Sequence, residues 1–125
     1  LHTFARARSY YAEEYAEDAM RRHPWHDWTY TLHLAQNLQL QMVYDRALEL
    51  LEPLAAAHPD VLRIRREAAL VYGLARDVDR GRVHMEAALT IDPTYGAGWE
   101  TEDAIYDNPG NFQRDMESLR RVGLP

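Results

Sequence analysis

Apolar residues along most of the chain recur at intervals of three and four, the spacing that places them on one face of an α-helix. Leu34, Leu38 and Met42 form such a stripe in one segment, and the same spacing continues in the segments that follow. No segment alternates strictly between apolar and polar residues, as a half-buried strand would. We therefore predict an all-α chain of about seven helices in antiparallel pairs. Five of these predicted helices cover residues 4–22, 27–42, 44–57, 61–75 and 79–91.

Two marks in the sequence recur with a common period of about 34 residues, a length typical of one helix hairpin per repeat. The first is a histidine or aspartate followed by proline, at Pro24, Pro59 and Pro93. The second mark is a four-residue motif with arginine in third place, and its copies begin at equal intervals at Tyr44, Val78 and Phe112. A shared period in independent marks predicts a repeated helix hairpin, because each repeat has one supersecondary unit.

Small residues occupy the positions where paired helices must approach closely. Ala35 and Ala69 lie on the first helix of each pair, and Ala47 and Gly81 lie on the second. Larger side chains there would separate the helices and cost packing energy. Pro53 falls inside the second helix of its pair, where an interior proline costs about 3 kcal/mol and predicts a kink.

The pattern resembles the tetratricopeptide repeat, whose period is also about 34 residues. With Leu62 as the first position, Ala69, Tyr72, Gly81 and Pro93 match the family's small, aromatic, small and proline positions. The resemblance implies a single domain in the form of a short right-handed α-solenoid. It divides the chain into a partial repeat (1–27), two repeats (28–61 and 62–95), and a degenerate repeat with a capping helix (96–125).

The resemblance also implies a concave groove that binds a peptide or a partner helix. Arg63 and Arg66 stand one turn apart at groove positions, and paired guanidiniums suit a carboxylate or an acidic peptide. The family's lysine–asparagine clamp for a C-terminal carboxylate is not reproduced. The alternative interpretation is a solvated arginine face, helped by Glu67. The candidate groove residues are Thr29, Leu32, Gln36, Gln39, Arg63, Arg66, Leu70 and Glu100.

His23, His26 and Asp27 offer part of a metal site. Pro24 breaks the helix that would align the two imidazoles, and no fourth ligand is evident. We therefore expect an inter-repeat turn with two packed tryptophans, and we predict neither a metal nor a cofactor.

Tyr10, Tyr11 and Tyr15 stand at helical spacing in the first predicted helix. One interpretation is that they pack onto that helix, and the other is that they contact upstream sequence or a partner. The chain begins at Leu1 within a repeat, so we expect it to be a fragment of a longer chain. Any self-association is expected to use the N-terminal helix.

The composition narrows the class of partner and of function. A formal charge of −6 argues against a general nucleic-acid binder, which needs a basic face. No run approaches the roughly 18–20 apolar residues that a membrane span requires. The absence of cysteine excludes disulfides and thiolate metal sites and leaves the compartment open, with the cytoplasm slightly favoured. All 14 basic residues are arginine, which is typical of a GC-rich genome, and we expect a bacterial source.

The motifs of common enzyme classes are missing from the sequence. Ser9 and Ser118 lie on predicted helices rather than in a nucleophile turn, and Gly96-Ala97-Gly98 lacks the rest of a phosphate loop. We expect a non-enzymatic scaffold or adaptor that binds a protein or peptide through its groove, and an acidic one would suit the paired arginines. The alternative is an accessory domain that positions or oligomerises a larger bacterial enzyme or regulator. A helical enzyme is the third hypothesis, and a deep pocket with convergent side chains would favour it.

Overall fold

The computed structural model describes residues 28–96 and 109–125, which form five α-helices and contain no strand. The all-α prediction is therefore confirmed for the described residues. The predicted helix at 4–22 lies outside them, as do residues 97–108, so the count of seven helices and the solenoid arrangement stay predictions. The helices are α1 (Trp28–Leu40), α2 (Tyr44–Ala57), α3 (Leu62–Leu74), α4 (Val78–Ile91) and α5 (Pro109–Arg121).

The chain divides into two compact units, and the boundary along the sequence lies between Pro59 and Asp60. Unit 1 contains the hairpin of α1 and α2, and unit 2 contains the hairpin of α3 and α4 together with α5. Helix α3 begins and ends one repeat period after α1, and α4 begins and ends one repeat period after α2. The period found in the sequence is therefore the period of the secondary structure.

The turns inside the two hairpins also share one backbone geometry. Met42 and Arg76, which stand one repeat period apart, adopt positive φ angles of 63° and 66°. In each turn the next residue donates its N–H to the carbonyl five residues earlier, at 2.9 Å. Such bonds satisfy carbonyls that a helix end leaves without partners. Neither residue is glycine, so each turn carries the cost of a left-handed conformation with a side chain.

Unit 1 is held by the apolar faces of α1 and α2, which pack against each other. Ala35 and Ala47 are both fully buried, as expected for small residues at a close helix crossing. Pro53 is exposed, and α2 continues for four residues beyond it, so the proline is accommodated within one helix. The buried apolar side chains of this hairpin are Leu32, Leu34, Ala35, Leu38, Ala47, Leu51 and Ala55.

In unit 2, α3 packs against both α4 and α5. Gly81 lies where α4 meets the end of α5: a Cβ there would collide with Val122 and press on Tyr72. Gly123, in the turn after α5, has a φ of 115°, which favours glycine. One apolar cluster joins the helices of this unit, made of Ala69, Leu70, Met85, Met116, Leu119, Val122 and Leu124.

Candidate functional site

The first turns of α3 carry the arginines that the sequence places in the groove. Arg63 is exposed and Arg66 is half-buried, one turn further along the helix. The first turn of α3 contains no acidic residue, and its N-cap, Val61, makes no side-chain bond to the helix. Helix N-termini favour negative charge, because unpaired N–H groups and the helix dipole make them positive. This end of α3 therefore has a positive electrostatic character.

The other candidate groove residues differ strongly in exposure. On α1 in unit 1, Thr29 and Gln36 are half-buried, whereas Leu32 and Gln39 are buried. The Gln39 Nε2 is buried and has no hydrogen-bond partner among residues 28–96 and 109–125. Glu100 lies outside the described residues. Within unit 1, the accessible part of the predicted face is therefore polar.

Leu70, a further candidate groove residue, is only 4% exposed because α5 covers it. Beside it on α3, Gly73 contacts the backbone of Ser118, and the Gly73 carbonyl accepts a 2.7 Å hydrogen bond from Arg121 Nη1. Leu70 therefore belongs to the core of unit 2 and offers little surface to a partner. The part of the α3 face that stays accessible is its N-terminal part, with Arg63 and Arg66.

Glu67 is buried at the same α3–α5 interface, not solvated beside the arginines as the alternative interpretation held. Its side chain is 6% exposed, and its Oε1 finds no hydrogen-bond partner in the described part of the chain. Burial raises the pKa of this carboxyl from 4.5 to about 7, Asp115 adds to the rise, and Arg66 and Arg114 oppose it. The signal was present in the sequence, because Glu67 stands three residues from both Ile64 and Leu70 on the apolar stripe.

His84 on α4 forms a second polar group that the sequence did not reveal. Its ring is 4% exposed, and Nδ1 lies 3.0 Å from Arg65 Nη1. Because a guanidinium only donates, Nδ1 accepts this bond and the ring proton lies on Nε2. The ring also stacks on Tyr72, with centroids 5.6 Å apart and planes 13° apart. These contacts join α3 to α4, and they direct the Arg65 side chain toward α4.

Several sequence hypotheses concern residues that the structure does not describe. His23, His26 and Asp27 lie outside the described residues, and so do Tyr10, Tyr11 and Tyr15. Within residues 28–96 and 109–125, no cluster of three or more histidine, aspartate or glutamate side chains is arranged to hold a metal ion. None of the helices in that part of the chain combines the length and apolar character needed to cross a membrane.

No protein-family model matches the chain, and no curated protein matches it. The likeness to tetratricopeptide repeats therefore stays a prediction from the repeat period and the residues that keep it.

Proposed function

We propose that this chain is a non-enzymatic helical-repeat scaffold that binds an acidic protein segment at the N-terminal turns of α3. The observation that carries the proposal is the pair Arg63 and Arg66, which stand one turn apart at the start of α3. Repeat hairpins of this size bury their apolar faces against neighbours and leave one helix of each pair available to a ligand.

The chemistry of the two side chains determines what kind of ligand fits. A guanidinium presents parallel N–H groups that match a carboxylate, and the bond is strengthened by charge. Arg63 and Arg66 stand three positions apart in sequence, so they project from one side of the helix about one turn apart. A peptide with two or more acidic side chains, lying along that turn, would meet both guanidiniums and the positive end of the α3 dipole.

A selection from a random peptide display library tests this proposal and does not require a known partner. The immobilised parent chain should enrich peptides rich in aspartate and glutamate. A double charge reversal, Arg63→Glu with Arg66→Glu, should lose those peptides because attraction becomes repulsion. The matched control is Arg82→Glu with Arg120→Glu, which changes the net charge equally at two exposed arginines of α4 and α5 and should keep the enrichment.

Two results would contradict the proposal. Retention of acidic peptides by the α3 double reversal, together with their loss in the control pair, would put the site elsewhere. A parent chain that enriches no acidic peptide at all would return Arg63 and Arg66 to the role of solubilising residues. Far-ultraviolet circular dichroism of each variant shows whether the helices remain folded.

A further inference from the structure

The interface of α3 and α5 in unit 2 contains a carboxyl group that the proposed function does not use. Glu67 on α3 is buried there, with its Oε1 unpartnered among the described residues. One turn away the interface is apolar, since Leu70 packs in the cluster with Met116 and Leu119 of α5. A carboxyl in such a place is tolerated when it is neutral and is costly when it is ionised.

The charged groups facing Glu67 come from two helices. Arg114 and Asp115 act on it from α5, and these two pair with each other through a 3.0 Å contact from Arg114 Nη2 to Asp115 Oδ1. Arg66 acts on it from α3 itself. On α4, the buried titratable side chain is His84, which bonds to Arg65 and does not contribute to the charge environment of Glu67.

Burial is the largest influence on this carboxyl, and it outweighs the two arginines. Its pKa in the docked arrangement is about 7, whereas a solvated glutamate has a value of 4.5. Asp115 is itself only 13% exposed in its side chain, so its negative charge acts on Glu67 through a poorly solvated interface. Deprotonation of Glu67 therefore opposes the contact of α3 with α5.

The direction of the pH dependence follows from these two pKa values. Below pH 4.5 the carboxyl is protonated whether α5 is docked or not, and docking is undisturbed. Between pH 4.5 and about 7, the undocked form loses its proton and the docked form keeps it, so docking weakens as pH rises. Above about pH 7 both forms are ionised and the effect levels off.

We infer that α5 docks on α3 most stably when Glu67 is neutral, so that unit 2 contains a proton-controlled latch. Loss of this proton favours release of α5 and uncovers Leu70 and Gly73 on α3. The inference stands independently of the peptide-binding proposal, because it concerns a contact within this chain.

Thiol labelling measures the release directly, because the chain has no cysteine of its own. Ser118 is 1% exposed at the α5 side of the interface, so Ser118→Cys is protected when α5 is docked. Glu117→Cys, exposed on the same helix, corrects for the pH dependence of thiol chemistry. The labelling rate with 4,4′-dithiodipyridine at position 118, divided by the rate at 117, should rise on the order of tenfold from pH 5.5 to 7 and then level off.

Two substitutions in the full chain separate Glu67 from every other carboxyl. Glu67→Gln keeps the size of the side chain and removes its charge, so the ratio should become flat with pH. Glu86→Gln removes a charge from an exposed position on α4 and should leave the tenfold rise in place. A rise that persists in Glu67→Gln, or a flat ratio in the chain with Glu67 intact, would overturn the inference.

Hydrogen exchange gives a second readout that needs no introduced thiol. After correction for intrinsic rates, the amides of α5 should lose protection between pH 5.5 and 7, while those of α4 keep theirs. Equal loss in α4 and α5 would show that the whole unit unfolds and would contradict a latch. Unchanged protection in α5 across this range would contradict it as well.

Discussion

Replacement of Gly73 by alanine probes the contact that closes α5 onto α3. A Cβ built on Gly73 would lie 2.5 Å from the carbonyl oxygen of Ser118 and 3.0 Å from its carbonyl carbon. Both atoms belong to the backbone of α5, so no side chain can rotate to make room. The same place is fixed by the 2.7 Å hydrogen bond from Arg121 Nη1 to the Gly73 carbonyl. Alanine can fit only if α5 moves away.

Two effects of opposite sign determine the free energy of unfolding of Gly73→Ala. Alanine is the better helix former by about 1 kcal/mol in a helix interior, and Gly73 lies near the end of α3, where the gain is smaller. Overpacking at a well-packed interface costs about 1–3 kcal/mol, and displacement of α5 also weakens the Arg121 bond by about 1 kcal/mol. We therefore expect Gly73→Ala to destabilise the protein by about 1–3 kcal/mol in spite of its helix propensity.

Urea unfolding followed by circular dichroism at 222 nm measures this change. The reference for helix propensity is the pair Glu86→Gly and Glu86→Ala, which compares the same two residues at an exposed position of α4. Alanine should be the more stable member of that pair and the less stable residue at position 73. If Gly73→Ala is stabilised as much as alanine is at position 86, then α5 does not pack against Gly73.

Three further predictions concern a cap, a turn and the buried carboxyl. Val43 precedes α2 with nearly the same backbone angles as Asp77 before α4, but of the two only the Asp77 side chain accepts a hydrogen bond from its helix. Val43→Asp should therefore raise the free energy of unfolding in urea by about 0.5–2 kcal/mol. A Val43→Asp variant no more stable than Val43→Ala would contradict this prediction. Arg76→Gly should raise the free energy of unfolding by up to about 1 kcal/mol, because Arg76 has a φ of 66° that glycine adopts without strain. Arg76→Ala should give no such gain, and equal effects of the two substitutions would show that the positive φ is not the cause. Glu67→Gln should raise the free energy of unfolding by at most about 3 kcal/mol at pH 8 and leave it nearly unchanged at pH 4, and an equal gain at both pH values would exclude ionisation as the reason.

The local features of the fold were predictable from the sequence. The prediction for residues 44–57 coincides with α2 at both ends, and that for 61–75 exceeds α3 by one residue at each end. Helices and turns depend on residues only a few positions apart, so their pattern is visible in the sequence. Because the two hairpins share one repeat period, the helices predicted in one hairpin also indicate the helices of the other.

The burial of the α3 face was not predictable in the same way. Leu70 is covered by α5, whose contacting residues, such as Met116 and Leu119, stand much further along the chain. Periodicity identifies an apolar stripe and does not identify which helix packs on it. The apolar residues of α5 are interspersed with Glu117 and Arg120, which are exposed, so the sequence of α5 alone does not identify its partner helix.

Backbone resonance assignment by nuclear magnetic resonance most directly tests the central claim, that the hairpin of α1 and α2 is repeated one period later by α3 and α4. Carbon-13 secondary shifts should place helices at 28–40 and 62–74, with partners at 44–57 and 78–91. Residues 42 and 76 should both show shifts and couplings of positive φ. A helix that runs unbroken through either turn, or a second hairpin whose bounds depart from this offset by a full helical turn, would contradict the account.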